Sequence, residues 1–313
     1  MPLIASIDVG TNTLRLLAAE VRGGKIIREA LNLRETTRLG EGLKTGGGRL
    51  KAEARERTIR TLAEFSKRML EAGVEGVSAV GTEALRRASD AGDFVREARD
   101  EAGIILKIIP AEEEARLTLL GVKSAIGESF PAGRKLVMDI GGGSTEIILT
   151  EDWSRHISVS IPIGAVSLFE RFLINDPPTP LEMSGLITFC NETVLPRLKG
   201  FTGGDKPALV GTAGTITTLA AVDLAQEAYD PAKITGHVLG RERISAFEAR
   251  LAGLPRESRR LIAGIESGRE DIIVSGTLLA GVIMDAFGAD KITVCDWGLR
   301  EGNLLDYYNK KTF

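Results

Sequence analysis

Asp8-Val9-Gly10-Thr11-Asn12-Thr13 and Asp139-Ile140-Gly141-Gly142-Gly143-Ser144-Thr145-Glu146 are the stretches whose reading decides the fold. Each follows an apolar run that reads as a strand, residues 3–7 in one case and 136–138 in the other. Glycine turns the backbone tightly and leaves N–H groups open to an anion. Each aspartate stands where a strand ends, a place from which a carboxylate can hold a divalent cation or its waters. Asp, Asn and Thr also favour ordinary turns and strand caps, which is the plain alternative. Recurrence of the pattern in matching contexts favours two phosphate-handling loops facing each other across a cleft.

Working outward, residues 14–21 read as a second strand, Gly23-Gly24 as a hairpin turn, and Ile26 onward as a third strand. Residues 40–48 hold too many glycines for a helix and read as a loop. Ile59, Leu62, Phe65 and Met69 recur at helical spacing over 51–72, and Gly73 supplies the stop. A strand at 74–80, a helix at 93–102, a strand at 104–109 and a helix at 112–122 follow. Residues 124–134 read as a junction. The second half restarts at 136–139 with strand, Asp-Gly loop and strand in the same order as residues 3–21. Helices are expected at 165–173, 180–197, 216–224, 271–287 and 300–308, with a strand at 292–295. The organisation expected is two α/β lobes, 1–124 and 125–313, with the last helix, about 300–313, packing back on the first lobe.

The 313 residues carry 40 Lys plus Arg against 43 Asp plus Glu, a net charge of -3. Such a balance gives no bulk attraction to nucleic acid or anionic membrane, and neither is expected as a partner. Cys190 and Cys295 lie in no metal-ligand spacing and are expected simply to pack. The N-terminus has no basic stretch followed by an apolar core and cleavage site, and no apolar run reaches membrane-spanning length. A soluble cytoplasmic protein is expected. His156 and His237 fall in no metal or nucleophile pattern, and Trp153 and Trp297 read as packing residues.

The chain resembles the exopolyphosphatase and guanosine pentaphosphate phosphohydrolase family. The matching pieces are Ile7-Asp8-Val9-Gly10-Thr11-Asn12-Thr13, Gly81-Thr82-Glu83-Ala84-Leu85-Arg86, Glu113-Glu114-Ala115-Arg116-Leu117, residues 139–146, residues 211–215 and Gly298-Leu299-Arg300-Glu301-Gly302. They run in the family's order over almost the whole chain. The resemblance implies two ribonuclease H-like lobes of the actin, hexokinase and heat-shock-ATPase superfamily with an interlobe cleft. It also implies the short form of the family, without extra C-terminal helical domains, and a homodimer. The family's usual glycine before the Glu113-Glu114 motif is absent, Pro110-Ala111 standing there instead.

On this reading Gly10, Thr11, Asn12 and Thr13 bind phosphate, as do Gly141, Gly142, Gly143, Ser144 and Thr145. Asp8, Asp139 and Glu146 hold Mg²⁺, with Mn²⁺ as a substitute. Arg15, on the strand after the first loop, either reaches the cleft or is a solvated charge. Arg86 matches the family's phosphate-contacting arginine, and a guanidinium offers phosphate a planar donor fork; Arg87 is its exposed neighbour. The resemblance makes Glu114 the catalytic carboxylate. From the residues alone Glu113 is its close rival, and both suit the positive end of a helix. Gly211, Thr212, Gly214 and Thr215 form a third loop for nucleotide, a distal phosphate or neither. Arg197, Lys199 and Lys206 read as solvated charges that a polymer track would also use.

The reaction expected is metal-dependent hydrolytic release of terminal orthophosphate from inorganic polyphosphate. Removal of the terminal phosphate of guanosine pentaphosphate is the alternative within the family, since both substrates present the same reacting end. An ATP-binding regulatory or chaperone-like module is the alternative of another class. The first loop lacks the basic residue that class uses near phosphate. A sugar or acetate kinase would need an acceptor pocket that the sequence does not reveal.

Overall fold

The computed structural model describes residues 1–43 and 47–311, so the middle of the glycine-rich loop expected at 40–48 lies outside the described residues. In chain order the elements are β1 (Leu3–Val9), β2 (Leu14–Arg22), β3 (Lys25–Glu35), α1 (Ala52–Ala72), β4 (Gly76–Gly81), α2 (Glu83–Arg87), α3 (Ala91–Ala102), β5 (Leu106–Ile108), α4 (Ala111–Ile126), β6 (Lys135–Ile140), β7 (Thr145–Thr150) and β8 (His156–Ile161). They continue as α5 (Ala165–Phe172), α6 (Pro180–Val194), β9 (Ala208–Thr212), α7 (Ala213–Asp223), α8 (Pro231–Ile234), β10 (Val238–Gly240), α9 (Arg241–Ala252), α10 (Arg256–Arg260), α11 (Ile273–Ala286), β11 (Lys291–Val294) and α12 (Leu299–Lys310). Two compact units result: Met1–Ser124 together with the segment from Trp297 onward, and Ala125–Asp296. Both are α/β with mixed sheets, the class read from the sequence.

The first unit has a sheet in the order β3-β2-β1-β4-β5. The β1–β2 and β2–β3 pairs are antiparallel, whereas β1–β4 and β4–β5 are parallel. Because side chains alternate along a strand, β1 and β2 sort their residues onto two faces. Ala5, Ile7, Val9, Leu14, Leu16 and Ala18 pack with Leu62 and Phe65 of α1 and Phe94 of α3. Ile4, Leu17, Ala19 and Val21 pack with Leu304 and Leu305 of α12. Val80 of β4 joins Ile109, Leu117 of α4 and Leu299 of α12. By alternation Ser6, Asp8, Ser78 and Val80 therefore share the face that α4 and α12 cover.

Gly73 ends α1 in the left-handed region at φ 75°, with its N–H donated to Leu70 O and the next N–H, of Val74, to Met69 O. α4 meets α12 backbone against backbone. A β-carbon at Gly302 would lie 1.8 Å from Leu117 O, and one at Gly121 would lie 2.0 Å from Gly298 O. Glycine at both positions is what permits the approach.

The second unit repeats the plan in a sheet ordered β10-β11-β9-β6-β7-β8. β6, β7 and β8 form an antiparallel meander, and β9 adds parallel to β6. The core holds the largely apolar helices α7 and α11 together with Cys190. Cys190 and Cys295 are both buried and form no disulfide, and burial pushes the Cys190 thiol up to about 12. Among the described residues no helix is long and apolar enough to cross a membrane.

Several elements differ from expectation. The helix read at 112–122 runs on to Ile126, so the junction read at 124–134 begins within a helix. The helix read at 180–197 ends at Val194, and Pro196 sits in a 3₁₀ turn, Leu195–Leu198. β8, β10, α2, α8, α9 and α10 are additions to the reading.

Replacing Gly302 by alanine is expected to destabilise the protein by about 2 kcal/mol or more through forced separation of α4 from α12. Gly92→Ala in α3, where a β-carbon meets nothing within 4 Å, is expected to be neutral or stabilising by up to about 1 kcal/mol. Urea unfolding of the two variants makes the comparison.

Candidate active site

The two Asp-Gly stretches form the same object. In the first, the β1–β2 hairpin, Gly10 N–H donates to Thr13 O at 3.1 Å. In the second, the β6–β7 hairpin, Gly141 N–H donates to Ser144 O at 3.0 Å. Each loop is held from behind through its carbonyls. Gly40 N and Arg38 N donate to Thr11 O and Asn12 O, both at 2.9 Å. Ala165 N donates to Gly141 O at 2.9 Å, and Val166 N and Ser167 N both donate to Gly142 O, at 2.9 and 3.1 Å. Close support requires glycine: a β-carbon at Gly40 would lie 2.4 Å from Thr11 Cγ2, and one at Gly164 would lie 2.5 Å from Gly141 O. Thr11, Asn12, Thr13, Ser144 and Thr145 are buried. Thr145 Oγ1 donates to Ile163 O at 2.8 Å, which ties that hydroxyl to the scaffold. Asn12 Nδ2 donates to Thr13 Oγ1 at 3.3 Å, while Asn12 Oδ1 is buried without a hydrogen-bond partner.

The hairpins differ at one register position. Asp8 stands opposite Arg15, whereas Asp139 stands opposite Glu146. Directly opposed residues in an antiparallel pair have β-carbons about 4.5–5.5 Å apart. Asp139 and Glu146 are both buried. Glu146 Oε1 accepts from Ser160 Oγ at 2.7 Å, and Thr212 is the register partner of Asp139 on its other side. The row Thr212, Asp139, Glu146, Ser160 is thus a band of hard oxygen donors across the sheet. Among the described residues no three His, Cys, Asp or Glu side chains gather as a complete metal cage. Two carboxylates suit Mg²⁺, which keeps several waters and takes the rest of its shell from substrate phosphate.

The third loop lies between β9 and α7. Ala213 adopts φ 62°, a left-handed conformation costly for a residue with a β-carbon. A β-carbon at Gly214 would lie 2.0 Å from Arg269 Nη2, so the Arg269 guanidinium lies against the loop backbone. Sequence reasoning missed Arg269; its flanks, Gly268 and Glu270, form no motif. At Gly211 packing accounts for the small residue, since a β-carbon would lie 2.5 Å from Ile292 Cδ1 and 2.8 Å from Ile216 Cγ2. A β-carbon at Gly276 of α11 would lie 2.6 Å from Thr215 Oγ1.

Arg86, in α2, and Glu114, in the first turn of α4, meet directly. Arg86 Nη1 donates to Glu114 Oε2 at 2.5 Å and to Ile109 O at 3.1 Å, and Nη2 donates to Glu83 Oε2 at 3.2 Å. Glu114 is buried, and Arg87 is 40% exposed with a 3.7 Å pairing to Glu83. The two adjacent acids of α4 therefore part company. Glu113 takes Arg116 at 2.7 and 2.9 Å, and Arg116 also bonds Asp306 of α12 at 2.8 Å. Arg116 holds the Glu113 carboxyl below the usual range, and Lys310 with Arg116 does the same for Asp306 against the opposing effect of burial. One helical step separates a carboxylate facing Arg86 from one spent on joining α4 to α12.

The remaining candidates stand elsewhere. His237 Nε2 lies 2.8 Å from Asp223 Oδ2, and the Trp153 ring packs edge-on to Phe130 at 5.8 Å. Lys206 pairs with Asp290 at 2.8 Å, and Arg197 bonds Thr193 O.

The Ppx/GppA phosphatase family model matches residues 17–311. The chain belongs to that family. It is 35% identical over 316 residues to exopolyphosphatase 2 of Mycobacterium tuberculosis, covering 96% of this chain and 97% of that one. It is 29% identical over 310 residues to the guanosine-5'-triphosphate,3'-diphosphate pyrophosphatase of Photobacterium profundum, covering 99% of this chain but 60% of that longer one. The Ppx/GppA family member of Aquifex aeolicus has a similar structure, with a TM-score of 0.82 at 35% identity, over 100% of this chain and 99% of that one.

The Glu113–Arg116–Asp306 cluster gives a pH test. The folded-state pKa of Glu113 and of Asp306 is depressed. Each then contributes stability that is full above its unfolded value, about 4, and is lost as pH falls through the folded value. Glu113→Gln is expected to cost about 1 kcal/mol at pH 7, and the gap to wild type is expected to close below about pH 4. Urea unfolding at a series of pH values measures it.

Proposed function

We propose that this protein is an exopolyphosphatase that hydrolyses the terminal phosphoanhydride of inorganic polyphosphate. The observation that carries the reading is the Arg86–Glu114 pair, a part-buried arginine bonded to a buried carboxylate. An arginine fork suited to a phosphoryl group stands within bonding distance of a carboxylate able to take a proton from water. Family membership and the relatives named exopolyphosphatase support the substrate.

In this mechanism the loops at residues 10–13 and 141–144 align phosphate oxygens through backbone N–H groups and hydroxyls. Arg86 orients the terminal phosphoryl group. Glu114 holds the attacking water and accepts its proton as the water oxygen bonds to phosphorus. The bridging P–O bond breaks, and the chain leaves one phosphate shorter. Asp139 and Glu146 would hold Mg²⁺, which supplies charge neutralisation of the phosphate oxygens. Arg269, against the third loop, adds a donor fork for a more distant phosphate. A magnesium-dependent cytoplasmic homodimer belongs to the same proposal, on the family resemblance. Guanosine pentaphosphate is the second reading, supported by the relative from Photobacterium profundum.

Single-turnover phosphate release from long polyphosphate, with guanosine pentaphosphate in parallel and Mg²⁺ added, tests the reading. Glu114→Gln is expected to lower the chemical rate about 10²–10⁴-fold while retaining substrate binding, and Glu113→Gln is expected to leave the chemical rate within a few-fold of wild type. A normal rate for Glu114→Gln would overturn the assignment. Arg86→Ala is expected to lower the rate by about 10²–10³-fold. It also removes a buried partner of Glu114, so its stability is expected to fall below that of Arg86→Ala/Glu114→Gln.

A further inference from the structure

We infer that Asn303 of α12 is a positioning residue for this reaction: its buried side-chain amide pins α12 to the paired strands β1 and β4, and so places the loops that follow those strands relative to the helix against which Glu114 is set. The inference rests on the proposed role of the residues those strands carry.

Ser6 of β1 and Ser78 of β4 are register partners in the parallel pair. One amide spans both. Asn303 Nδ2 donates to Ser6 Oγ at 2.9 Å and to Ser78 O at 3.1 Å, and its Oδ1 accepts from Ser78 Oγ at 2.9 Å. Ser6 is fully buried and Asn303 is 4% exposed. In a buried setting such a network is costly if broken, because each severed partner keeps its desolvation penalty. A leucine there would pack with Leu304 and Leu305 at less risk, so the polar choice calls for another reason than stability.

Position supplies the reason. Ser6 is two residues before Asp8 and on the same face, and β1 ends at Val9, where the phosphate loop begins. Ser78 is three residues before Gly81, the end of β4, from which Thr82 leads into α2 and Arg86. Where the strands end, Thr82 N–H donates to Val9 O at 3.3 Å. The backbone ladder sets the register of β1 on β4; apolar packing would let α12 slide over that pair, whereas three directional bonds from one amide fix the height of the helix on both strands. The same helix meets α4, which carries Glu114, through Gly302 and Gly298. Asn303 thus references Asp8 and Arg86 to the helix against which Glu114 is set. Productive geometry in phosphoryl transfer is sensitive to displacements of about 1 Å.

The test uses Asn303→Leu and the triple variant Asn303→Leu/Ser6→Ala/Ser78→Ala, in which the side-chain partners become apolar together. Asn303→Leu alone is expected to lose stability. The triple variant is expected to recover most of that loss in thermal unfolding, because no serine hydroxyl is left orphaned. Its kcat for Mg²⁺-dependent phosphate release from polyphosphate is expected to stay at least 10-fold below wild type, with KM changed less than 3-fold. Hydrogen exchange is expected to speed up at residues 9–13 and 81–86, with β2 and β3 unchanged. Full kcat in the stable triple variant, or unaltered exchange at both loops, would overturn the inference. Should wild type release phosphate from neither polyphosphate nor guanosine pentaphosphate, the functional reading fails, and the exchange result alone decides whether Asn303 sets the loops.

Discussion

The carbonyl of Leu117 occupies the space a β-carbon at Gly302 would need, and that one backbone contact governs the first unit. α4 cannot approach α12 so closely at any other residue type. The approach brings Leu117 and Leu299 together over Val80, and lets Arg116 reach Asp306. α12 in turn buries Leu304 and Leu305 against β1 and β2. The first turn of α4, with Glu114, is therefore located by a helix that enters the unit only after the whole second unit has been made. Folding of the first unit is in this sense non-local, a costly arrangement in loop-closure entropy.

Two hairpins of one design have taken different charges. In both, a glycine N–H closes a four-residue loop, and neighbouring backbone groups hold the loop's carbonyls. The acid at the strand end stands opposite Arg15 in the register of the first and opposite Glu146 in the second. The repeat therefore keeps one backbone design while the charge facing the acid changes sign.

What was legible in the sequence was local. Glycine hairpins, the α1 periodicity ending at Gly73 and the largely apolar run of α11 are written in neighbouring residues. Ile244, Phe247 and Leu251 of α9 carried the same signal at helical spacing and went unread because polar residues crowd between them. The site was legible as residues rather than as contacts. Arg86 and Glu114 are 28 residues apart, and nothing in either motif announces their bond. Arg269 reaches Gly214 from a segment without a signature. Gly211 looked like Gly214, yet its small size answers to Ile292 and Ile216. Asn303, among Glu, Asp and Lys in a short terminal helix, carries no sequence signal of its burial.

The Arg86–Glu114 bond also constrains how the proposed chemistry runs. A carboxylate bound to a guanidinium is a poorer proton acceptor than a free one, because the pair stabilises the ionised form. A phosphoryl group arriving at Arg86 competes for the same donors. In the proposed mechanism, a donor that turns to phosphate is withdrawn from Glu114, so substrate capture and the setting of the carboxylate draw on one guanidinium. Glu83 and Ile109 O, which hold the rest of the Arg86 fork, let the guanidinium change partners without leaving its position.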